Sequence, residues 1–308
     1  MARGLVARLA SAVPPAFGAL AIACASCAYS MAQLPHSAEP FVEEWASEGV
    51  AMRSYAARAG ANAKPGFRDP LALDGKALKL SIGSRCAAGP GGGSGAESVE
   101  AYLYGSFSCR MRAADADAGE GIVSAFFLYG NDGADRDGDG LADNAEIDFE
   151  WLSAEPGSVW LTCWTDYDER TGTHRHVVRK VRLATGTVEY TRYCERFDDG
   201  VSLSGPEAQP ERIQAIPEYD SGARYYDYGI DREPGAVRWW IAHPETGERI
   251  TLWDYRGPES RLPSAPARAM VNLWHSATWA PEASPEALAA PASWRSSYVD
   301  RVAYAPLE

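Results

Sequence analysis

Glu146, Asp148 and Glu150 stand at alternate positions of the stretch Ala145-Glu146-Ile147-Asp148-Phe149-Glu150-Trp151. In an extended chain successive side chains point to opposite faces, so the three carboxylates share one face and Ile147, Phe149 and Trp151 the other. Like charges this close repel one another, and a strand that needed only solubility would not normally be built this way. A carboxyl group held protonated beside one held ionised, flanking a bond to be broken, is what glycoside hydrolysis requires. Residues four apart on a strand have Cα atoms roughly 13 Å apart. Retaining chemistry wants the carboxyl groups about 5–5.5 Å apart, a gap that two Glu side chains leaning together on a concave sheet could close. The plain alternative is a solvated face with acidic residues by chance.

Such a strand needs a sheet to hold it, and the chain is rich in candidates. Residues 77–82 alternate cleanly, as do residues 102–112, with Phe107, Cys109 and Met111 on one side. Residues 122–129 form an apolar β-forming run just ahead of the carboxylate stretch. Further runs follow at 158–165, 177–183, 226–231, 237–241, 250–255, 270–274 and 298–304, punctuated by Pro, Gly and Asp clusters with no long amphipathic helix between them. That pattern predicts an all-β sandwich. Residues 39–53 could start it as a strand or a short helix. The glycine-rich run 89–95 does not fit a dinucleotide-binding spacing and reads as a loop. Residues 194–222 are polar and Pro-rich and read as a long functional or mobile loop.

Composition limits the partners. The chain has 308 residues, 46% hydrophobic, with ten Trp, fifteen Tyr and a formal net charge of −13. That charge argues against nucleic-acid backbones and anionic membrane surfaces and is compatible with a neutral polymer. Aromatic faces stack on sugars, but they also fill β-sandwich cores. Residues 1–32, with Arg3 and Arg8 ahead of an apolar run and small residues at Ser30-Met31-Ala32, resemble an export signal, which predicts a secreted or periplasmic protein. The apolar run is too short for a comfortable membrane span; the sequence before Cys24 also resembles a bacterial lipobox, an alternative lipid anchor. Cleavage would leave residues 33–39 as a short linker and 40–308 as the folded domain, with Cys86, Cys109, Cys163 and Cys194. Those four could form two disulfides or remain buried thiols. His174 and His176 have no visible third ligand and read as a surface pair.

Several runs together resemble glycoside hydrolase family 16, nearest to its bacterial lichenase branch. They are Tyr104-Gly105-Ser106-Phe107 with Arg110-Met111-Arg112, Gly121-Ile122-Val123-Ser124-Ala125-Phe126-Phe127, Glu146-Ile147-Asp148-Phe149-Glu150, Tyr228-Gly229-Ile230-Asp231, Val271-Asn272-Leu273-Trp274 and Tyr298-Val299-Asp300-Arg301-Val302. The resemblance implies a β-jelly roll of two curved antiparallel sheets with a substrate cleft on the concave face, in a monomer that needs no cofactor. It implies a secreted endo-β-glucanase acting with retention on a β-1,3-1,4- or β-1,3-glucan. Glu146 would be the nucleophile, Glu150 the general acid/base, and Asp148 the residue holding the nucleophile. Asn272 and Trp274 would line the cleavage point, with Trp164, Phe127 and Tyr129 as further substrate contacts. A glucan or xyloglucan transglycosylase, or a non-catalytic carbohydrate-binding protein on the same fold, are the alternatives. Asn144-Ala145 ahead of the nucleophile, Gly95-Ala96-Glu97 ahead of the Tyr-Gly motif and His275 after Trp274 depart from the lichenase pattern, altering the substrate rim but leaving the carboxylates.

Residues 135–146 also match the calcium-loop string of an EF-hand, with Gly140 at the sixth position and Glu146 at the twelfth. The flanks read as strands instead of helices, and Glu146 cannot serve both as metal ligand and as free nucleophile. The expectation is therefore a structural calcium ion held by Asp135, Asp137, Asp139 and Asp143 without Glu146, against a solvated acidic turn.

Overall fold

The computed structural model describes residues 37–57, 59–87, 93–117, 119–168, 171–196, 200–277, 279 and 288–307. The stretch expected to be an export signal, with Cys24, and residues 33–36 of the expected linker lie outside them. In chain order the strands are β1 (Phe41–Glu43), β2 (Met52–Ala56), β3 (Ala61–Arg68), β4 (Lys76–Ile82), β5 (Gly93–Ser98) and β6 (Gly105–Arg112). Next come β7 (Ile122–Gly130), β8 (Asp143–Leu152), β9 (Ser158–Asp168), β10 (Thr173–Arg182), β11 (Thr187–Cys194) and β12 (Val201–Ser202). The last are β13 (Tyr226–Glu233), β14 (Ala236–Ala242), β15 (Arg249–Tyr255), β16 (Arg268–His275) and β17 (Arg295–Ala305).

They form two antiparallel sheets, as the patterning predicts. One runs β12-β11-β10-β9-β8-β7-β16-β5-β2; the other runs β15-β14-β13-β6-β17-β4-β3, with β1 paired to β17. The carboxylate strand β8 is central in the first sheet, between β7 and β9. Its inward set, Ile147, Phe149 and Trp151, is fully buried in the main core. Burying each such side chain stabilises the fold by about 1.5–3 kcal/mol. The Phe149 and Trp151 rings stack at 5.6 Å, and Trp151 Nε1 donates to the Tyr219 hydroxyl at 3.0 Å. Trp239 of β14 donates its indole N–H across the sandwich to the Asp148 carbonyl at 2.9 Å. These contacts hold the register of β8, and a slip of one residue would turn the carboxylates into the core.

Several expectations need correction. Residues 39–53, open between strand and helix in the sequence, hold β1 and the start of β2 joined by the irregular residues 44–51. The glycine-rich run is not all loop, because Gly93 and Gly95 belong to β5. A side chain at Gly95 would come within 2.5 Å of the Tyr55 hydroxyl, so glycine is what lets Tyr55 of β2 lie over β5. Much of the segment 194–222 is packed, not mobile: Ile216 and Tyr219 are buried in the main core, and Arg179, 1% exposed, donates to the carbonyls of Pro210 and Leu252. His174 and His176 are buried rather than superficial, under the Tyr167 and Trp164 rings of β9. Cys109 and Cys163 are buried free thiols, which excludes a disulfide through either of them. Cys86 lies in the main core and Cys194 in a smaller cluster on the other face of the first sheet.

Candidate active site

The face of the first sheet turned away from the core is laid out by strand register. Asn272, Ala125, Glu150 and Trp160 form one row across β16, β7, β8 and β9. Met270, Phe127, Asp148 and Thr162 form the next, and Tyr129, Glu146 and Trp164 the third. The three carboxylates thus lie side by side on a face otherwise made of aromatic and small side chains. Asp148 is 3% exposed and Glu150 8%, while Glu146 is more open.

Each carboxylate has a different environment. Asn144 Nδ2 donates to Glu146 Oε2 at 3.1 Å. Thr162 Oγ1 donates to Asp148 Oδ2 and itself accepts the Trp164 indole N–H at 3.2 Å. Burial pushes Glu146 up to about 7, against the pull of the Asn144 hydrogen bond toward the ionised form. Burial and then the charge of Glu146 push Glu150 up to about 8. Burial, together with the charges of Glu146 and Glu150, holds Asp148 well above the usual carboxylate range despite its hydrogen bonds. These groups titrate as one cluster. Glu146 lies below Glu150, and its charge favours the protonated form of both of its neighbours. A single ionised carboxylate beside protonated neighbours on an open face is an arrangement for nucleophilic attack with proton donation.

The expected substrate contacts divide. Trp164 and Tyr129 are half-buried and border Glu146, with the Trp164 ring stacked on His176 at 4.0 Å. Phe127 is 1% exposed and lies in a cluster with Ala125, Met270, Tyr55 and Tyr129, so it supports the floor without presenting a ring to solvent. Asn272 is 3% exposed, with its Oδ1 lacking a hydrogen-bond partner. Trp274 does not offer an open stacking platform. It is 5% exposed because Trp279 folds back over it, with ring centroids 6.2 Å apart. Trp279 also meets the Trp160 ring edge-on at 5.2 Å, so the Glu150 side of the site ends in an aromatic wall. Sequence reading missed Thr162, Asn144 and Trp279 as parts of the site. Thr162 is two residues before Trp164 and shares its face, which the period of a strand could have revealed; for Trp279 no local pattern exists.

At the start of β8 the acidic turn curls as Asp135 accepts the backbone N–H groups of Gly138 and Gly140. Asp135, Asp137 and Asp143 bring carboxylate oxygens within 4.8 Å of one another. Asp139, expected with them, turns to Arg175 instead. Glu146 stays outside the group, bonded to Asn144.

The family model described as Glycosyl hydrolases family 16 matches residues 69–191. A probable xyloglucan endotransglucosylase/hydrolase 1 from Solanum lycopersicum is 36% identical over 69 residues, which are 22% of this chain and 20% of that protein. A xylanase/beta-glucanase from Ruminococcus flavefaciens is 24% identical over 173 residues, 56% of this chain and 14% of that protein. The chain therefore spans about a fifth or less of the length of these two curated relatives. Among solved structures, a LamA variant from Z. galactanivorans in complex with laminaritriose and laminaritetraose superposes with a TM-score of 0.50 at 11% identity, over 88% of this chain and 99% of the other. That likeness shows the jelly-roll fold. The matched family segment contains the whole of β8 and its neighbours β7 and β9, so the similarity to glycosyl hydrolase family 16, whose members are glycosidases or transglycosylases, covers the carboxylate strand.

Proposed function

We propose that this protein is an exported, retaining endo-β-glucanase of the lichenase-like type, acting on a β-1,3-1,4- or β-1,3-glucan. The observation that carries the reading is three carboxylates side by side on one sheet face with separated ionisation, Glu146 at about 7, Glu150 at about 8 and Asp148 held well above the usual carboxylate range. In the first step the Glu146 carboxylate attacks the anomeric carbon. A carbon–oxygen ester bond forms as the glycosidic bond breaks, and the Glu150 proton goes to the leaving oxygen. Formation of the ester removes the charge of Glu146, so Glu150 becomes more acidic. As a carboxylate it then takes a proton from water, whose oxygen attacks the same carbon and releases Glu146. Two inversions give net retention. Asp148, between the two, is a positioning residue, tied by Thr162, which in turn accepts the Trp164 indole N–H.

Reducing-end release from mixed-linkage β-glucan, laminarin and xyloglucan tests this, with Glu146→Ala and Glu150→Ala as controls. We expect cleavage of a β-glucan and a loss of several orders of magnitude in both variants. An unchanged rate in Glu146→Ala would remove the nucleophile. A second reading, transglycosylation, is favoured by one feature: Trp160, Trp274 and Trp279 form a dry wall beside Glu150, with exposures of 0%, 5% and 1%, and a dry wall favours a sugar hydroxyl over water as acceptor. Transfer to an added oligosaccharide in preference to hydrolysis would select it.

A further inference from the structure

Asp143 and Asp166 are register partners on β8 and β9 and are 7% and 2% exposed. Like charges directly opposite on neighbouring strands destabilise a sheet, and burial raises the cost. Both line a cavity of about 440 Å³ together with Asp137 and the hydroxyl-bearing Thr165, Ser260 and Ser264. Asp166 Oδ2 is buried there without a hydrogen-bond donor. Arg175 Nη1 stands 3.4 Å from it but is already hydrogen-bonded to Asp139. Arg136 is shared between Asp132 and Asp143. Two guanidinium groups thus face six carboxylates, those of Asp132, Asp135, Asp137, Asp139, Asp143 and Asp166.

We propose that this cavity is a binding site for a hard divalent cation, calcium, with Asp135, Asp137, Asp143 and Asp166 as its carboxylate ligands. The donors are all oxygen, which suits calcium or magnesium and not zinc or copper. Asp135 and Asp137 come from a turn, whereas Asp143 and Asp166 are fixed on strands. Such a set supplies the irregular shell of six to eight oxygens that calcium accepts, and fits poorly the strict octahedron that magnesium requires. The ligand set differs from the EF-hand string, because Asp139 is engaged by Arg175 and Asp166 enters from another strand. Because Asp143 opens β8 and the next residue is Asn144, the bound ion would fix the end of the strand from which Asn144 reaches Glu146.

Calorimetry of the full chain, stripped with a chelator and titrated with calcium chloride and separately with magnesium chloride, tests the site without recourse to activity. We expect one calcium per chain, weaker heat with magnesium, and a melting temperature several degrees higher at roughly hundredfold excess over Kd. Asp137→Asn, on the exposed turn, and Asp166→Asn, at the buried position, should each weaken calcium binding at least tenfold with an unchanged far-ultraviolet spectrum. Absence of both heat and melting shift at millimolar calcium, the weak end of extracellular calcium sites, overturns the proposal. Wild-type affinity in both variants overturns it equally.

Discussion

Replacing Asn144 by Ala removes the amide that donates to Glu146 Oε2 at 3.1 Å. That hydrogen bond favours the ionised form of Glu146, so its loss must raise the pKa from about 7. A hydrogen bond to a charged group contributes about 1.5–3 kcal/mol, and one pKa unit corresponds to about 1.4 kcal/mol, which sets the rise at one unit or more. With Glu146 near 7 and Glu150 near 8, the productive form, Glu146 ionised and Glu150 protonated, peaks at about 0.6 of the enzyme between those values and is about 0.09 at pH 6. A rise of one unit cuts the peak only about twofold but lowers the population at pH 6 about tenfold. The assay is kcat/KM against pH on the cleaved glucan for wild type and Asn144→Ala. We expect the acid limb of the bell to move up by about one pH unit or more while the alkaline limb keeps its place or rises slightly. An acid limb that stays put, or moves down, would falsify the assignment of Glu146 as the group that must ionise.

Asp148 has a folded pKa raised by burial and by its neighbours, so its contribution to stability is present below its unfolded value near 4 and is lost as pH rises. Asp148→Asn should therefore melt higher than wild type at pH 8, with the difference shrinking toward pH 4, while activity falls; melting curves at both pH values decide it, and a lower melting temperature at pH 8 would contradict the sign. Trp279→Ala should cost about 3–5 kcal/mol and uncover Trp274 and Trp160 beside Glu150. In the folded variant hydrolysis should gain over transfer to an added acceptor, and an unchanged product ratio would deny the wall that role. Gly229→Ala would place a methyl 2.0 Å from the buried Trp240 ring, costing about 1–3 kcal/mol or more; calorimetric unfolding at the wild-type temperature would show that the contact relaxes freely. Burial raises the pKa of both Cys109 and Cys163, so a thiol reagent should label them in denaturant and leave them unlabelled in the native protein at pH 8.

What can be read from the chain alone is what depends on near neighbours in sequence. The alternation of Glu146 to Trp151 assigns one face to carboxylates and one to the core, because side-chain direction along a strand repeats every two residues wherever the strand lies. The runs of β4, β6, β7 and β13 to β17 are visible for the same reason. β3 is not, because Pro65-Gly66 interrupts its pattern at a register shift, and β11 is not, because its outward Thr, Glu and Arg side chains resemble a polar loop. The glycines of β5 mark a close approach by Tyr55 that no neighbour in sequence announces. Tertiary structure alone decided that Trp274 is covered, since Trp279 must fold back to cover it. It also decided that the carboxylates titrate above their usual range, which comes from burial and neighbouring charge and, for Asp148, is opposed by the hydrogen bond from Thr162 on another strand. Asp166 likewise meets Asp143 only when β9 pairs with β8. Periodicity is a property of the chain, whereas desolvation and convergence of charge are properties of the surroundings that distant segments build.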